Sequence, residues 1–411
     1  MKIFMMLGWR NIWRNKRRSL VVISSIGVGI FAMMFSMGFM NGMNMQMVEN
    51  TISTSLGHIA IHEKGFQDNM KLEYSFIPDG EIISAVKGNS RVKAFTERIK
   101  VQGMVRSSEA SRGVMIVGID PETERTVSKI YDYTLKQDGS RYLSGRGDEG
   151  ILISKTMADR LDLVVGDRLV IMVQDLNNEI VGAGLAVTGL YESPVDSFDK
   201  YVVFAGIEKI REITGLGKNI SEINVLLKDK DDVAPVKTEF AGAMGGKNLE
   251  ILTWKEMAPY LVRAVQLFDM IMFIFFTIVF ITVIFSVANT LIMAIMERFH
   301  EIGVMKSIGT RPSRIFFMII FESMNLGLVG LAGGVASGLL VIALLSWTGI
   351  DFSFWMESMK MFGTGSVIYP VIRVTDITMA VVIVLFTTLI AALYPAVKAA
   401  RIKPLEALHF I

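Results

Sequence analysis

The chain has 411 residues, and its hydrophobic share of 51% and mean hydropathy of +0.45 exceed those of most soluble proteins, which predicts membrane-spanning segments. The formal net charge is only +2, which argues against nucleic acid as the main partner because phosphate-binding surfaces make a domain strongly basic. The sequence contains no cysteine, so disulfides, thiolate zinc sites and cysteine nucleophiles are excluded.

The first 19 residues combine cations with aromatic and aliphatic residues and contain no acidic residue. This composition predicts an amphipathic helix over residues 1–19 that lies on the cytoplasmic membrane surface. Residues 20–43 form the first predicted membrane helix, since the 21 residues from Leu20 to Met40 carry no charge. Six cations precede this helix, and the positive-inside rule therefore predicts a cytoplasmic N-terminus.

Residues 44–268 contain no uncharged stretch of membrane length and are predicted to form an extracytoplasmic domain with its own core. Alternating apolar and polar residues predict strands at 58–62, 99–105, 114–119, 168–174, 185–191 and 222–228. Helical periodicity predicts helices at 81–87, 154–163, 207–213 and 233–244. Ser154 is the predicted N-cap of the second of these helices. The segment is therefore predicted to be an α+β domain in two lobes.

One stretch of this domain carries a motif. The run Gly150-Ile151-Leu152-Ile153-Ser154 leads through Leu161 to Val165-Gly166-Asp167. It resembles the G-I-L-I-S-x-x-x-A-x-x-L-x-L-x-V-G-D segment of MacB-like periplasmic domains, and it predicts a strand, a capped helix, a turn at Gly166 and a second strand. The residues at 173–187 predict a long hairpin or loop. By position, this loop resembles the one with which Lol-type permeases capture a periplasmic lipoprotein carrier.

Residues 269–296 form the second predicted membrane helix, because Met270 to Met296 carry no charge over a helical length of about 40 Å. A charged elbow follows at 297–314 and is predicted to be a cytoplasmic coupling helix. Helical spacing groups Phe299, Ile302 and Met305 or Lys306 on one face. It places Glu297, Arg298 and Glu301 toward the other side. Gly309 and Pro312 are predicted to end the run.

The elbow contains the most specific motif of the chain. Residues 298–309 fit R-x-x-E-I-G-x-x-K-x-x-G, which resembles the signature of FtsX/MacB/Lol-type ABC transporter permeases. In that family the motif forms the element that docks into a separate ATPase. The resemblance implies that the ATPase-coupling residues here are Glu297, Arg298, Glu301, Ile302, Gly303, Lys306 and Gly309. A solvated surface loop is the alternative interpretation.

Residues 315–346 form the third predicted membrane helix, with Glu322 as its one charge. A carboxylate inside a membrane span is costly and marks a functional site, unless it pairs near the interface with Arg314 or with an N-terminal cation. Both interpretations remain open on the sequence. Small residues at three- and four-residue steps predict close helix packing in lipid. The glycines that carry this prediction are Gly327, Gly330, Gly334 and Gly338.

The remaining residues are predicted to form a periplasmic loop at 347–375, a fourth membrane helix at 376–397 and a cytoplasmic tail at 398–411. The stretch from Tyr394 to Leu408 is similar to the P-A-x-x-A-x-x-x-x-P-x-x-A-L ending of the same permeases. The predicted fold is therefore an α-helical membrane protein with four membrane helices. The resemblance adds a MacB-like periplasmic core domain between helices one and two.

Several kinds of chemistry can be set aside. Residues 242–248 fail as a phosphate loop because the first glycine is misplaced and Asn248 replaces the required Ser or Thr. His58 and His62 share one side of a strand but lack a third metal ligand, so they are expected to be surface histidines rather than a metal site. No Ser/His/Asp order stands out. The chain is thus predicted to be a non-catalytic subunit without a cofactor, with ATP and Mg²⁺ bound by the partner ATPase.

The resemblance implies a bacterial inner-membrane permease with both termini in the cytoplasm. Its implied partners are a cytoplasmic ABC ATPase dimer, a second permease copy or a paralogue, membrane lipids, and lipoproteins with their periplasmic carrier. The chain most resembles the lipoprotein-releasing Lol permeases in length, in its four spans and in lacking a fused ATPase. Two alternatives stay open, a MacB-like tripartite efflux permease and an FtsX-like regulator of cell-wall hydrolases.

Overall fold

The computed structural model describes residues 16–137 and 139–404, and four helices in this part of the chain are long and apolar enough to cross a membrane. The predicted amphipathic helix at 1–19 lies largely outside the described residues, as does the tail from residue 405 onward. The first, second, third and fourth membrane helices are, in order, α1 (Lys16–Thr51), α11 (Pro259–Glu297), α13 (Pro312–Thr348) and α15 (Val374–Ala400).

The first two membrane helices are longer than the sequence predicted. The first membrane helix has 36 residues, about 54 Å, and then continues through a π-helical turn at Ile52–Leu56. The second begins at Pro259, inside the segment 44–268 that was assigned to the extracytoplasmic domain. Both helices extend past the predicted membrane segments because polar residues end a hydrophobic run without ending a helix. Each helix therefore has a polar extension beyond the length that a bilayer core requires.

The α+β domain is built on one nine-stranded sheet, and its strands follow the order β3-β7-β4-β6-β5-β2-β8-β1-β9. The strands are β1 (Ile59–Glu63), β2 (Val92–Arg106), β3 (Ser111–Ile119), β4 (Gly150–Ser154), β5 (Arg168–Gln174), β6 (Ile180–Tyr191), β7 (Val202–Gly206), β8 (Glu222–Leu227) and β9 (Leu249–Thr253). Because β2 also pairs with β3, six of the strands close into a ring, and β8, β1 and β9 extend from it.

The helices of this domain are short and lie between the strands. They are α2 (Phe66–Asn69), α3 (Gly80–Gly88), α4 (Pro121–Val127), α5 (Ile130–Tyr133), α6 (Lys155–Leu161), α7 (Asp196–Asp199), α8 (Ile207–Thr214), α9 (Val233–Ala243) and α10 (Trp254–Met257). The Ser154 side chain accepts a hydrogen bond from the Met157 amide, as an N-cap does. Residues 242–248, which do not fit a phosphate loop, form the turn that joins α9 to β9.

The described part of the domain has two large apolar cores, one for each predicted lobe, and a smaller cluster around Tyr191 and Phe204. One lies inside the ring, where Ile99, Ile116 and Ile171 are fully buried. The other lies where α3 and α9 cover the β8-β1-β9 extension and is centred on Ile61 and Phe240. The single strand β2 belongs to both parts, because it pairs with β3 and β5 in the ring and with β8 in the extension. The lobes are therefore two regions of one sheet.

The described chain divides into two compact units. One contains the four membrane helices, in the described parts of Met1–Asn44, Val265–Asp351 and Val367–Ile411. The other contains Met45–Ala264 together with Phe352–Ser366. The segment predicted as a plain loop at 347–375 therefore contributes its central residues to the α+β unit. It includes the short strands β10 (Ile350–Asp351) and β11 (Val367–Ile368) and the helix α14 (Met356–Met361).

Candidate functional site

The elbow between the second and third membrane helices contains a shorter helix than the one predicted at 297–314, and a turn separates this helix from the third membrane helix. Its helix, α12, covers only Phe299–Ser307. Gly309 follows with φ of +93°, a left-handed conformation that favours glycine, and Pro312 already begins the third membrane helix. Arg314, which was assigned to the elbow, is therefore the third residue of a membrane helix.

One face of α12 packs into the core of the membrane unit. Ile302 is 2% exposed and belongs to the same buried cluster as Ile295 and Ile315 of the adjoining helices. Gly303 is also buried, so a larger side chain at that position would push α12 away from the bundle. This is the face that helical spacing indicated, with Phe299 and Met305 packed at its edge.

Arg298 does not lie on the outward side where the sequence placed it. Its Nη1 is 3.3 Å from each carboxylate oxygen of Glu322, and the two residues are only 8% and 4% exposed. Glu322 was expected to pair with Arg314 or with an N-terminal cation, and the partner from the elbow was missed. Arg298 occupies the junction before α12, where φ is −104°, so the helical period that predicted its direction does not apply there.

A cavity of about 140 Å³ adjoins this ion pair and is lined by Arg298, Glu301, Ile302, Met305 and Glu322, among others. The Nε and Nη2 atoms of Arg298 are buried and make no hydrogen bond within the described chain. The lining is mostly apolar, but Arg298, Glu301 and Glu322 supply polar groups, and a cavity of this size with several polar partners can hold water molecules that satisfy such donors. The guanidinium of Arg298 is therefore bonded to Glu322 on one side and faces the cavity on the other.

Lys306 connects α12 to the end of the fourth membrane helix. Its Nζ donates hydrogen bonds to the Ala400 carbonyl at 2.9 Å and to the Ile402 carbonyl at 2.5 Å. The last carbonyls of a helix have no partner within the helix, and a cation there is favourable. The elbow is thus attached to the third membrane helix through Arg298 and to the fourth through Lys306.

The opposite face of α12 and the turn after it are exposed. This outward face mixes acidic and apolar side chains, and Ile308, at 78%, is its most exposed large apolar residue. Its members are Glu297, His300, Glu301, Val304, Ser307 and Ile308. An apolar side chain so exposed at the end of a helix, flanked by charges, is typical of a surface that a protein partner covers.

Comparison with known proteins identifies the family. The family model described as "MacB-like periplasmic core domain" matches residues 19–243, which is more than half of the chain. A second model, "FtsX-like permease C-terminal", matches residues 273–404. The chain belongs to this permease family. The predicted resemblance to FtsX/MacB/Lol-type permeases and the predicted fold class are both confirmed.

Similar proteins match the permease over nearly its whole length. It is 22% identical to the "Lipoprotein-releasing system transmembrane protein LolC" of Neisseria meningitidis, and 20% identical to the corresponding LolE of Haemophilus influenzae, with 98% of each chain covered. It is 23% identical to the "Uncharacterized ABC transporter permease YknZ" of Bacillus subtilis, with 97% of each covered. The chain is thus an ABC transporter permease and a multi-pass protein of the inner membrane.

Two solved structures also resemble the permease. The extracellular domain of the noncanonic ABC-type transporter YknZ from Gram-positive bacteria covers 48% of this chain and 99% of its own, at 17% identity and a TM-score of 0.34. The periplasmic region of MacB from Actinobacillus actinomycetemcomitans covers 54% of this chain and 97% of its own, at 14% identity and a TM-score of 0.35.

The four predicted packing glycines of the permease all face neighbouring helices. A Cβ at Gly334 would lie 2.7 Å from the Gly27 carbonyl oxygen, and one at Gly330 would lie 2.9 Å from Ile26 Cβ. A Cβ at Gly338 would lie 3.1 Å from Met34 Sδ. These three glycines face the first membrane helix. Gly327 instead faces the fourth, where a Cβ would lie 2.7 Å from Thr388 Cγ2.

A second buried ionic site lies within the α+β unit of the permease, at the π-helical turn that follows α1, and sequence reasoning did not predict it. Arg98 on β2 donates two hydrogen bonds to Glu124, at 2.7 and 3.0 Å, and one to Glu222 at 3.3 Å. Its Nη1 also donates to the Ser55 carbonyl, in the π-helical turn, at 2.5 Å. We call these four residues the root cluster.

Further contacts hold the same turn. Asn224 Nδ2 donates to the Leu56 carbonyl at 2.7 Å, and the Lys129 amide donates to the Ser53 carbonyl at 2.8 Å. Burial alone would raise the pKa of the Glu222 carboxyl, but the Lys100 ammonium and the Arg98 guanidinium outweigh it and hold that pKa below its ordinary value. Glu222 is therefore ionised at neutral pH, which keeps the root cluster charged and paired.

The two histidines His58, just before β1, and His62, within it, are not the surface histidines that the sequence predicted. His58 and His62 are 8% and 0% exposed. His58 Nδ1 accepts a hydrogen bond from the Leu227 amide, and His62 Nδ1 is 3.1 Å from Glu250 Oε1. Burial lowers the pKa of both imidazoles. No group of three or more potential ligands that could hold a metal occurs in residues 16–137 and 139–404.

Proposed function

We propose that this permease couples ATP hydrolysis on a separate ATPase to movement of its periplasmic domain, and that it extracts lipoproteins from the inner membrane for a periplasmic carrier. The observation that supports the coupling is the two-sided elbow. One side of α12 is tied to the third and fourth membrane helices by Arg298 and Lys306, and the other side is exposed. A partner that pushes on the exposed face moves the helices behind it.

In this proposal the elbow and both termini lie in the cytoplasm, because six cations precede the uncharged stretch of the first membrane helix, which begins at Leu20. The ATPase dimer binds ATP and Mg²⁺ and docks on the outward face of the elbow, with Glu297, Glu301 and Ile308 in the contact. A second permease copy or a paralogue engages the second ATPase. Ile302, Gly303 and Gly309 shape the elbow from within, through burial and through the left-handed turn.

The force reaches the periplasmic domain through continuous helices. The second membrane helix runs without interruption from Pro259, just after β9 and α10, to Glu297 at the elbow. The first is fixed to the domain at its far end by the root cluster. Since a helix shortens little under load while its backbone hydrogen bonds hold, a displacement at one end is transmitted to the other.

Lipoprotein release is the proposed cargo function because the full-length relatives with an assigned system are named as lipoprotein-releasing proteins. A hairpin suited to contact a carrier is present in the periplasmic domain. Strands β5 and β6 are joined by a tight turn at 175–179, and Leu176 and Ile180 beside it are 38% and 80% exposed. Exposed apolar side chains on a projecting hairpin are available to a protein partner.

The coupling proposal is tested by combining Glu301→Lys with Gly303→Trp in a tagged, full-length chain. We expect the ATPase to be lost from the purified complex, because the variant reverses a charge on the outward face and displaces α12. Glu109→Lys makes the same charge reversal on an exposed turn of the periplasmic domain and is expected to leave copurification unchanged. An ATPase that still copurifies with the double variant and stays stimulated would contradict the proposal.

The cargo proposal needs a separate test. On depletion of the chain, we expect lipoproteins to accumulate in the inner membrane, as measured by membrane fractionation. Unchanged lipoprotein sorting together with cell chaining or lysis would instead indicate an FtsX-like regulator of cell-wall hydrolases. Unchanged sorting with increased sensitivity to an exported drug or peptide would indicate a MacB-like efflux permease.

A further inference from the structure

The segment between the third and fourth membrane helices carries a cluster of exposed apolar side chains. Phe354 is 90% exposed, Met361 74%, Trp355 57% and Met356 42%. They lie within eight residues of one another, on a short 3₁₀ turn and on α14. We call these four residues the loop patch. Large apolar side chains concentrated in this way mark an interaction surface.

The other side of the same segment is attached to the periplasmic domain. Lys360 Nζ forms an ion pair with Glu192, and Asn50 Nδ2 donates a hydrogen bond to the Gly363 carbonyl at 3.0 Å. Thr364 is fully buried and donates its hydroxyl to the Met359 carbonyl at 3.0 Å. The contacts of Lys360 and Gly363 therefore attach one side of the segment to the domain, and the Thr364 hydrogen bond holds the segment together internally. The loop patch lies on the unattached side.

The position of the patch in the chain indicates what covers it. Phe354 follows Thr348, the last residue of the third membrane helix, by six residues, a span of at most about 22 Å of extended chain. Trp347 in the last turn of that helix is 92% exposed, and exposed tryptophan at a helix end is typical of the headgroup level of a bilayer. The covalent chain thus keeps the patch close to the membrane surface.

The chemistry of the patch fits the same environment. Aromatic rings are enriched at the boundary between headgroups and acyl chains, and a flexible thioether adapts to an irregular apolar surface. The charged residues of α14, Glu357 and Lys360, would remain at the polar level, and Lys360 is already paired with the domain. The segment resembles an interfacial element that lies on lipid rather than one that spans it.

We propose that the loop patch inserts into the membrane leaflet on the side of the periplasmic domain and anchors that domain to the lipid. The partner is the bilayer itself. The first and second membrane helices already connect the domain to the membrane through the chain, and the loop patch supplies a further, non-covalent contact. This inference does not depend on which cargo the permease carries or on which ATPase drives it.

The absence of cysteine makes a direct test possible, because a single introduced cysteine can be labelled uniquely in the full-length chain. Phe354→Cys and Met361→Cys would carry a nitroxide label in chain reconstituted into lipid vesicles. Ile180→Cys is the matched control, since Ile180 is a comparably exposed apolar residue, at 80%, on the β5–β6 hairpin. Collisions with oxygen, which partitions into lipid, are compared with collisions with a water-soluble nickel chelate.

We expect oxygen to relax the labels at 354 and 361 more strongly than the nickel chelate does, and the reverse at 180. Labels at 354 and 361 that are accessible mainly to nickel would place the patch in water and overturn the proposal. Labels protected from both reagents would indicate contact with protein, such as a second permease copy, and would overturn it equally.

A second measurement covers the case in which the cysteine variants do not fold. Trp355 can be made the only tryptophan by replacing Trp9, Trp13, Trp254 and Trp347 with phenylalanine. Its fluorescence is expected to fall in vesicles of brominated lipid compared with unbrominated lipid. A chain that keeps Trp254 instead, within the periplasmic domain, is expected to show no difference. Equal fluorescence of Trp355 in the two lipids would contradict insertion.

Discussion

The described part of the permease contains two buried arginine–glutamate sites, one at the elbow and one at the root cluster, and they differ in how completely the arginine is bonded. Arg98 at the root donates to Glu124, Glu222 and the Ser55 carbonyl. Within the described residues, Arg298 at the elbow donates only to Glu322, through one nitrogen, and its other donors adjoin a cavity. The comparison indicates that the root is a fixed joint, whereas the elbow has room to rearrange.

This difference matches what the proposed force transmission would require of the two sites. A contact that transmits a displacement into a domain should be rigid, and a buried cluster in which every charged group is paired resists separation. An element that receives a partner must adjust to it, and an arginine with free donors can exchange bonds as α12 moves. The two sites use the same residue types, so the surroundings of each arginine account for the difference.

The largest expected effect comes from breaking the root with Arg98→Met. Glu124 would be left buried without its partner, and Glu222 would keep only Lys100. Loss of one member of a buried ion pair costs about 3–5 kcal/mol. The measurement is thermal unfolding of the full-length chain in lipid, followed by near-UV circular dichroism.

Arg91→Met is the matched control for this experiment. Arg91 precedes the same strand and pairs with Glu239, but both side chains are 40% exposed or more. Exposed pairs contribute less than about 1 kcal/mol, so little change is expected. If the two variants lost the same stability, the root cluster would not be the fixed joint described above.

The next effect is at the elbow, where Arg298→Met should cost about 1–3 kcal/mol, less than at the root, because Glu322 can be protonated or hydrated beside the cavity. The double variant Arg298→Met with Glu322→Met removes both charges and should regain part of the loss. Thermal unfolding of the single and double variants gives the coupling energy. Strictly additive losses would show that the pair does not interact as the geometry indicates.

A comparable loss, about 1–3 kcal/mol, is expected from Gly334→Ala. The added methyl would lie 2.7 Å from the Gly27 carbonyl oxygen and force the first and third membrane helices apart. Gly333→Ala is an internal control one residue away, where a Cβ meets nothing within 4 Å. That change should be neutral or slightly stabilising, since alanine favours helix. If thermal unfolding showed the same loss of stability for Gly334→Ala and Gly333→Ala, the effect would come from helix propensity and not from packing.

Sequence reasoning succeeded where a local period controls structure. The buried face of Ile302 and the packing glycines follow helical spacing within one element, and the strand–helix motif at Ser154 follows local capping. It failed for Arg298, which lies at a junction between helices, where no period applies. It also missed the partners of Arg98, because Glu124 and Glu222 are 26 and 124 residues away and only the folded sheet brings them together.

The smallest expected effect, about 0.5–1.5 kcal/mol, comes from Lys306→Met, which removes two hydrogen bonds to carbonyls at the end of the fourth membrane helix while keeping the length of the side chain. Because this contact ties α12 to one helix only, coupling should weaken more than stability does. We expect nearly unchanged thermal unfolding and ATPase copurification, but lower ATPase stimulation by the permease.

Lys306→Arg can still donate to both carbonyls and should restore part of that stimulation. Full stimulation in Lys306→Met would show that the elbow acts through Arg298 alone.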